Sequence, residues 1–133
     1  METVRNPLWE LDVADGWLVT PEDECCTFTL TDDGGALQIS AYRKDSGLVT
    51  KDDLLGFDTF PAALLNQLVE GSWGTFSGLY LAYSESGLSW RRWSIGDGDA
   101  LAFITYNCKV GSEQLERVDV DAMVNSIRTP TRL

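Results

Sequence analysis

Two stretches in the second half of the chain are apolar on both sides of an alternating pattern, which restricts the available folds more than any other feature. In residues 100–108, Leu101, Phe103 and Thr105 fall on one side and Ala102, Ile104 and Tyr106 on the other. In residues 78–84, Leu79, Leu81 and Tyr83 oppose Tyr80 and Ala82. A sheet with one wet face alternates apolar with polar residues, whereas strands apolar on both sides need cover on both. The chain must therefore build a sheet and also supply the elements that cover it.

Further strands are legible by the same period of two. Trp9, Leu11 and Val13 alternate with Leu8, Glu10 and Asp12, and after the turn at Asp15-Gly16 an extended run resumes at Trp17. Cys26, Phe28 and Leu30 alternate with Thr27 and Thr29. The cluster Asp32-Asp33-Gly34-Gly35 then reads as a hairpin turn into residues 36–43, where Leu37, Ile39 and Ala41 share a side. Residues 88–95 form another strand, bounded by Glu85-Ser86-Gly87 and Gly96-Asp97-Gly98-Asp99.

Two regions change period. Thr50 followed three residues later by Asp53 has the form of a helix N-cap with a short-armed capping box, ahead of Leu54, Leu55 and Phe57. Pro61 suits a first helical turn, and Ala62, Leu64, Leu65, Leu68 and Val69 read as helical up to Gly71. Gly56 and Pro61 leave open whether this is one helix or two. In residues 112–128, Val120, Met123, Val124 and Ile127 follow helical spacing, while Leu115 and Val118 fall off that stripe, so either the packed helix begins near Asp119 or its first turns bury a different side. Thr129-Pro130 ends the run. The expectation is a single α+β domain over residues 1–133: an antiparallel β-sheet layered between helices, an α/β/α sandwich.

Charge narrows the partners. There are 21 acidic residues against 10 basic ones, a net charge of −11. Such a surface repels phosphate backbones and anionic lipid, so no nucleic-acid or membrane partner is expected. It favours a protein partner with a basic surface; its simpler role is solubility. Cys25, Cys26 and Cys108 make an odd count, and the adjacent pair would point to opposite sides of a strand. With no leader-like N-terminus and no membrane-length apolar run, these read as reduced thiols of a cytoplasmic protein.

Most catalytic chemistries lack their residues. There is no histidine, which removes the Ser-His-Asp and Cys-His arrangements and imidazole ligation. Residues 71–78 are glycine-rich but carry no lysine, and read as a strand start or bulge instead of a phosphate loop. Asp97 and Asp99 flank Gly98 without the rest of a calcium loop, and the cysteines lack zinc spacing. No cofactor, metal or catalytic residue is expected.

One constellation remains, Trp90-Arg91-Arg92-Trp93. On a strand, Trp90 and Arg92 share one side and Arg91 and Trp93 the other, so each side carries a Trp and an Arg suited to cation–π contact. Tryptophan with arginine is also the composition of interface hot spots. The competing reading packs both tryptophans under helices while the arginines pair with nearby acids.

The order of four strands, helix, three strands and helix, with Trp9, Gly16 and Trp17 early and Ser126-Ile127-Arg128 late, resembles the PsbP-like superfamily. The resemblance implies an antiparallel sheet between helices and a binding or scaffolding role, and transfers no site residue. The leading expectation is a non-enzymatic protein–protein interaction module using Trp90, Arg91, Arg92 and Trp93. The alternative is a small-ligand carrier with an aromatic pocket between sheet and helices, lined by Trp73, Tyr80, Tyr83 and Trp93.

Overall fold

The computed structural model describes residues 2–57 and 60–130. Strands β1 (Glu2–Arg5) and β2 (Glu10–Val13) form a separate antiparallel hairpin. The main sheet has seven antiparallel strands in the order β3-β4-β5-β9-β8-β7-β6. These are β3 (Leu18–Pro21), β4 (Cys26–Thr29), β5 (Ala36–Arg43), β6 (Val69–Trp73), β7 (Phe76–Glu85), β8 (Leu88–Asp97) and β9 (Ala100–Lys109). Helix α1 (Lys51–Phe57) and a 3-10 segment (Ala62–Gln67) join β5 to β6, and α2 (Arg117–Asn125) follows β9. The hairpin turns follow from the residues at their tips. Ser86 and Gly87 both hold positive φ, 55° and 79°, as the two-residue turn that matches strand twist requires.

Both sides of the central strands are buried, and by different elements. On the inner side Leu37, Ile39, Trp93, Ile95, Ala102 and Ile104 pack under the β1–β2 hairpin (Trp9, Leu11, Val13) and α2 (Val120, Met123, Val124). On the outer side Leu79, Leu81 and Leu101 meet Leu54 of α1 and Phe60.

The α/β/α sandwich is therefore corrected to a β-rich α+β fold. At 1.5 Å per residue the seven residues of α1 and nine of α2 reach only about 10 and 14 Å. Seven strands about 4.8 Å apart span roughly 29 Å. A β-hairpin makes up part of the inner cover, and the outer side is only partly covered.

The capping box forms as expected: Asp53 N–H donates to Thr50 Oγ1 (3.2 Å) and Thr50 N–H to Asp53 Oδ2 (2.8 Å). One helical expectation changes. The helical run expected over residues 62–69 forms only as the 3-10 segment Ala62–Gln67; Leu68 turns extended and Val69–Trp73 becomes the edge strand β6. The C-terminal helix begins at Arg117, close to the expected start near Asp119, and the Glu116 side chain just before it accepts from Gly35 N–H (2.9 Å) and Tyr106 O–H (2.7 Å). Leu115 and Val118 stay exposed, as their place off the apolar stripe implies.

The N-terminal hairpin is tied to the segment after α2. Glu10 and Arg128 exchange backbone hydrogen bonds of 2.8 and 3.0 Å, and the Arg128 side chain reaches Glu10 (3.3 Å) and Asp12 (3.1 Å). The hydrogen bond from Arg128, then that from Thr3 O–H, holds the Asp12 carboxyl below its ordinary value of 3.8. A depressed carboxyl pKa stabilises the fold above the unfolded-state value, and that contribution is lost as pH falls through the folded one. Asp12→Asn should therefore weaken the protein at neutral pH and flatten its loss of stability below about pH 4. Urea unfolding at stepped pH measures this; parallel pH curves for the two proteins would rule Asp12 out.

Candidate functional site

Strand β8 lies between β7 and β9 and delivers the four candidate residues to opposite sides of the sheet, two by two. Arg91 and Trp93 point inward. Trp93 is fully buried, its ring 5.1 Å from Tyr80, which in turn lies 6.1 Å from Trp73. The Arg91 guanidinium sits 4.7 Å from the Trp93 ring. It donates through Nε to Tyr80 Oη (2.8 Å) and through Nη2 to Asp121 Oδ1 on α2 (2.6 Å). Burial works against its charge, but the bonds to Tyr80 and Asp121 outweigh burial and hold its pKa above the ordinary arginine value. This half of the constellation is a structural joint between sheet and helix.

Trp90 and Arg92 point outward. The Arg92 guanidinium lies 5.1 Å from the Trp90 ring and 6.0 Å from the Tyr83 ring, and its Nε donates to Tyr83 Oη (2.8 Å). Tyr83 and Trp90 are register partners and stack at 6.5 Å with planes 10° apart. Tyr42 and Phe103 form a second aromatic pair on the same side, 6.3 Å apart. Helix α1 covers this side near Ser94, whose hydroxyl donates to Leu54 O (2.7 Å). Trp90 stands four residues away, about 13 Å along the strand. It is half-buried and belongs to neither core cluster.

The four residues expected to line an aromatic pocket do not converge. Trp73, Tyr80 and Trp93 come together along the inner side as a row of tilted rings, while Tyr83 stands with Trp90 on the outer side. Asp121, the partner of Arg91, carries no sequence signal that separates it from the other acids; only its place on α2, opposite β8, brings it into play. The three cysteines are free thiols, with Cys26 and Cys108 buried. Among the described residues there is no group of potential metal ligands, and no helix is long and apolar enough to cross a membrane.

No protein-family model matches this chain, and no curated protein sequence does. Solved structures do resemble it. A Bacteroides thetaiotaomicron protein superposes with a TM-score of 0.70 at 14% identity, covering 98% of this chain and 48% of its own length. The chain thus spans about half of that protein. LpqN of Mycobacterium tuberculosis, involved in cell envelope biogenesis, superposes with a TM-score of 0.58 at 17% identity, covering 97% of this chain and 90% of LpqN. At these identities the likeness establishes a shared fold.

Proposed function

We propose that this chain is a non-enzymatic protein-interaction module whose recognition surface is the outer side of the sheet around Trp90 and Arg92. The observation that carries this reading is the position of Trp90, a large aromatic held outside both core clusters by Tyr83 and Arg92. Its parallel pairing with Tyr83, itself bonded by Arg92, favours one placement of the ring, which limits the entropy lost on binding. The binding role implied by the PsbP-like resemblance fits the same proposal. The partner is a protein with a basic surface: the charge of −11 speeds its approach, and the aromatic patch supplies the contact energy. The free thiols support a reducing, cytoplasmic setting.

The test uses three tagged proteins on lysate of the source organism: the wild type, an Arg91→Ala variant, and a Trp90→Ala, Arg92→Ala double variant. A near-stoichiometric partner should be retained by the wild type and lost by the double variant. Binding of the purified partner should fall by about 30-fold, the ~2 kcal/mol of a hot-spot truncation. Arg91→Ala should lower the Tm yet keep the partner. Equal retention by wild type and double variant, or no partner on the wild type, would sink the proposal.

A further inference from the structure

Where the β4–β5 turn meets the end of β9 and the segment before α2 lies a pocket of about 240 Å³. Its apolar walls include Leu30, Tyr106 and Leu115, and the carboxylate of Glu116 lines it. Glu116 is only 6% exposed. Its Oε1 accepts from Gly35 N–H and Tyr106 O–H, and among the described residues no hydrogen bond is made to Oε2. Oε2 faces Gly34, where a Cβ would come within 2.5 Å of it, so the glycine keeps this oxygen unobstructed. Asp33, Tyr106 and Cys108 also line the pocket. Burial, then the bond to Glu116, pushes the Tyr106 hydroxyl up, and burial does the same to the Cys108 thiol.

A buried carboxylate with one oxygen committed and the other open calls for a charged hydrogen-bond donor. A single open oxygen suits an ammonium, a point-charge donor, whereas an arginine there would forgo its bidentate fork. Leu30, 37% exposed, and Leu115, 82% exposed, offer apolar surface for an alkyl stem. An ammonium on such a stem is a lysine side chain, and the net charge of −11 draws basic proteins. We propose that this pocket receives a lysine side chain of a basic partner protein, its ammonium on Glu116 Oε2 and its stem between Leu30 and Leu115. The site stands apart from the Trp90 surface and does not depend on it.

The test titrates the ¹⁵N-labelled protein with the blocked peptide acetyl-Gly-Lys-Gly-amide, following the Gly35 amide that Glu116 binds. Parallel titrations use the ε-acetylated peptide, the arginine peptide and n-butylammonium chloride. The lysine peptide should give a saturable shift with a Kd on the order of millimolar. Glu116→Gln and ε-acetylation should each weaken it about tenfold or more. Leu115→Ala, at an exposed position where folding is not at stake, should weaken it by about three- to tenfold. No saturable shift with the lysine peptide overturns the proposal, as does an equal shift with the ε-acetylated or arginine peptide or with both variants. Butylammonium binding as tightly as the peptide would reassign the pocket to a free amine and overturn the protein partner.

Discussion

Trp93→Ala should destabilise the fold by about 3–5 kcal/mol, a fall in Tm on the order of 10–20 °C for a domain of this size. The side chain is fully buried in the inner core, so truncation opens a cavity that the surrounding strands can close only in part. It also removes the ring beneath Arg91 and the neighbour of Tyr80, loosening the joint that carries Asp121 and α2. Trp90→Ala, three residues earlier on the same strand, should cost about 1 kcal/mol or less, because Trp90 is half-buried and outside both clusters. Urea unfolding of both variants measures the contrast. Losses of similar size would mean that the two sides of β8 are equally structural, and the outer patch would lose its claim to be kept for binding.

Gly74→Ala should cost about 2–4 kcal/mol, a large effect for one added methyl group in a surface turn. Gly74 sits between β6 and β7 at φ +58°, and a Cβ there would lie 1.7 Å from the carbonyl oxygen of Ile127. The left-handed conformation alone costs alanine roughly 1 kcal/mol. The remainder comes from backbone that must move. Either the turn shifts or the segment after α2 does, breaking the 3.1 Å bond from Thr75 N–H to Ile127 O and pulling at the fully buried Ile127. Gly47→Ala is the control: its φ is +78°, with nothing within 4 Å of the added carbon. It should lose only about the conformational 1 kcal/mol. Equal losses at the two sites would refute the steric account.

How much of this was legible follows the physics of each segment. Strand β5 reads at residues 36–43 because turn chemistry marks its start and Leu37, Ile39 and Ala41 alternate with Gln38 and Ser40. The capping box reads because its spacing is local. Strand β6 does not: Leu64, Leu65, Leu68 and Val69 have helical spacing, and only pairing with β7 makes Val69–Trp73 extended. Strand β1, Glu-Thr-Val-Arg, has no apolar rhythm and exists through its pairing with β2. At the candidate site, alternation alone separates Trp90 and Arg92 from Arg91 and Trp93. Which pair lies in the core depends on where α1 and α2 end, and that is tertiary information. Glu116 is one of 21 acidic residues, and its burial is created by Gly35 and Tyr106, residues 81 and 10 positions away.

The tie between Glu10 and Arg128 also sets an order of events during synthesis. A nascent chain emerges N-terminus first, so the β1–β2 hairpin appears long before the residues that complete its environment. Trp9, Leu11 and Val13 belong to a core that includes Val120, Met123, Val124 and Ile127, and Glu10 finds its backbone partner at Arg128. Until residues 117–128 have left the ribosome, the inner side of the sheet lacks α2 and the hairpin lacks its latch. The central strands present a greasy surface throughout that interval, and a chain cut short before α2 should keep that surface exposed and prone to aggregation.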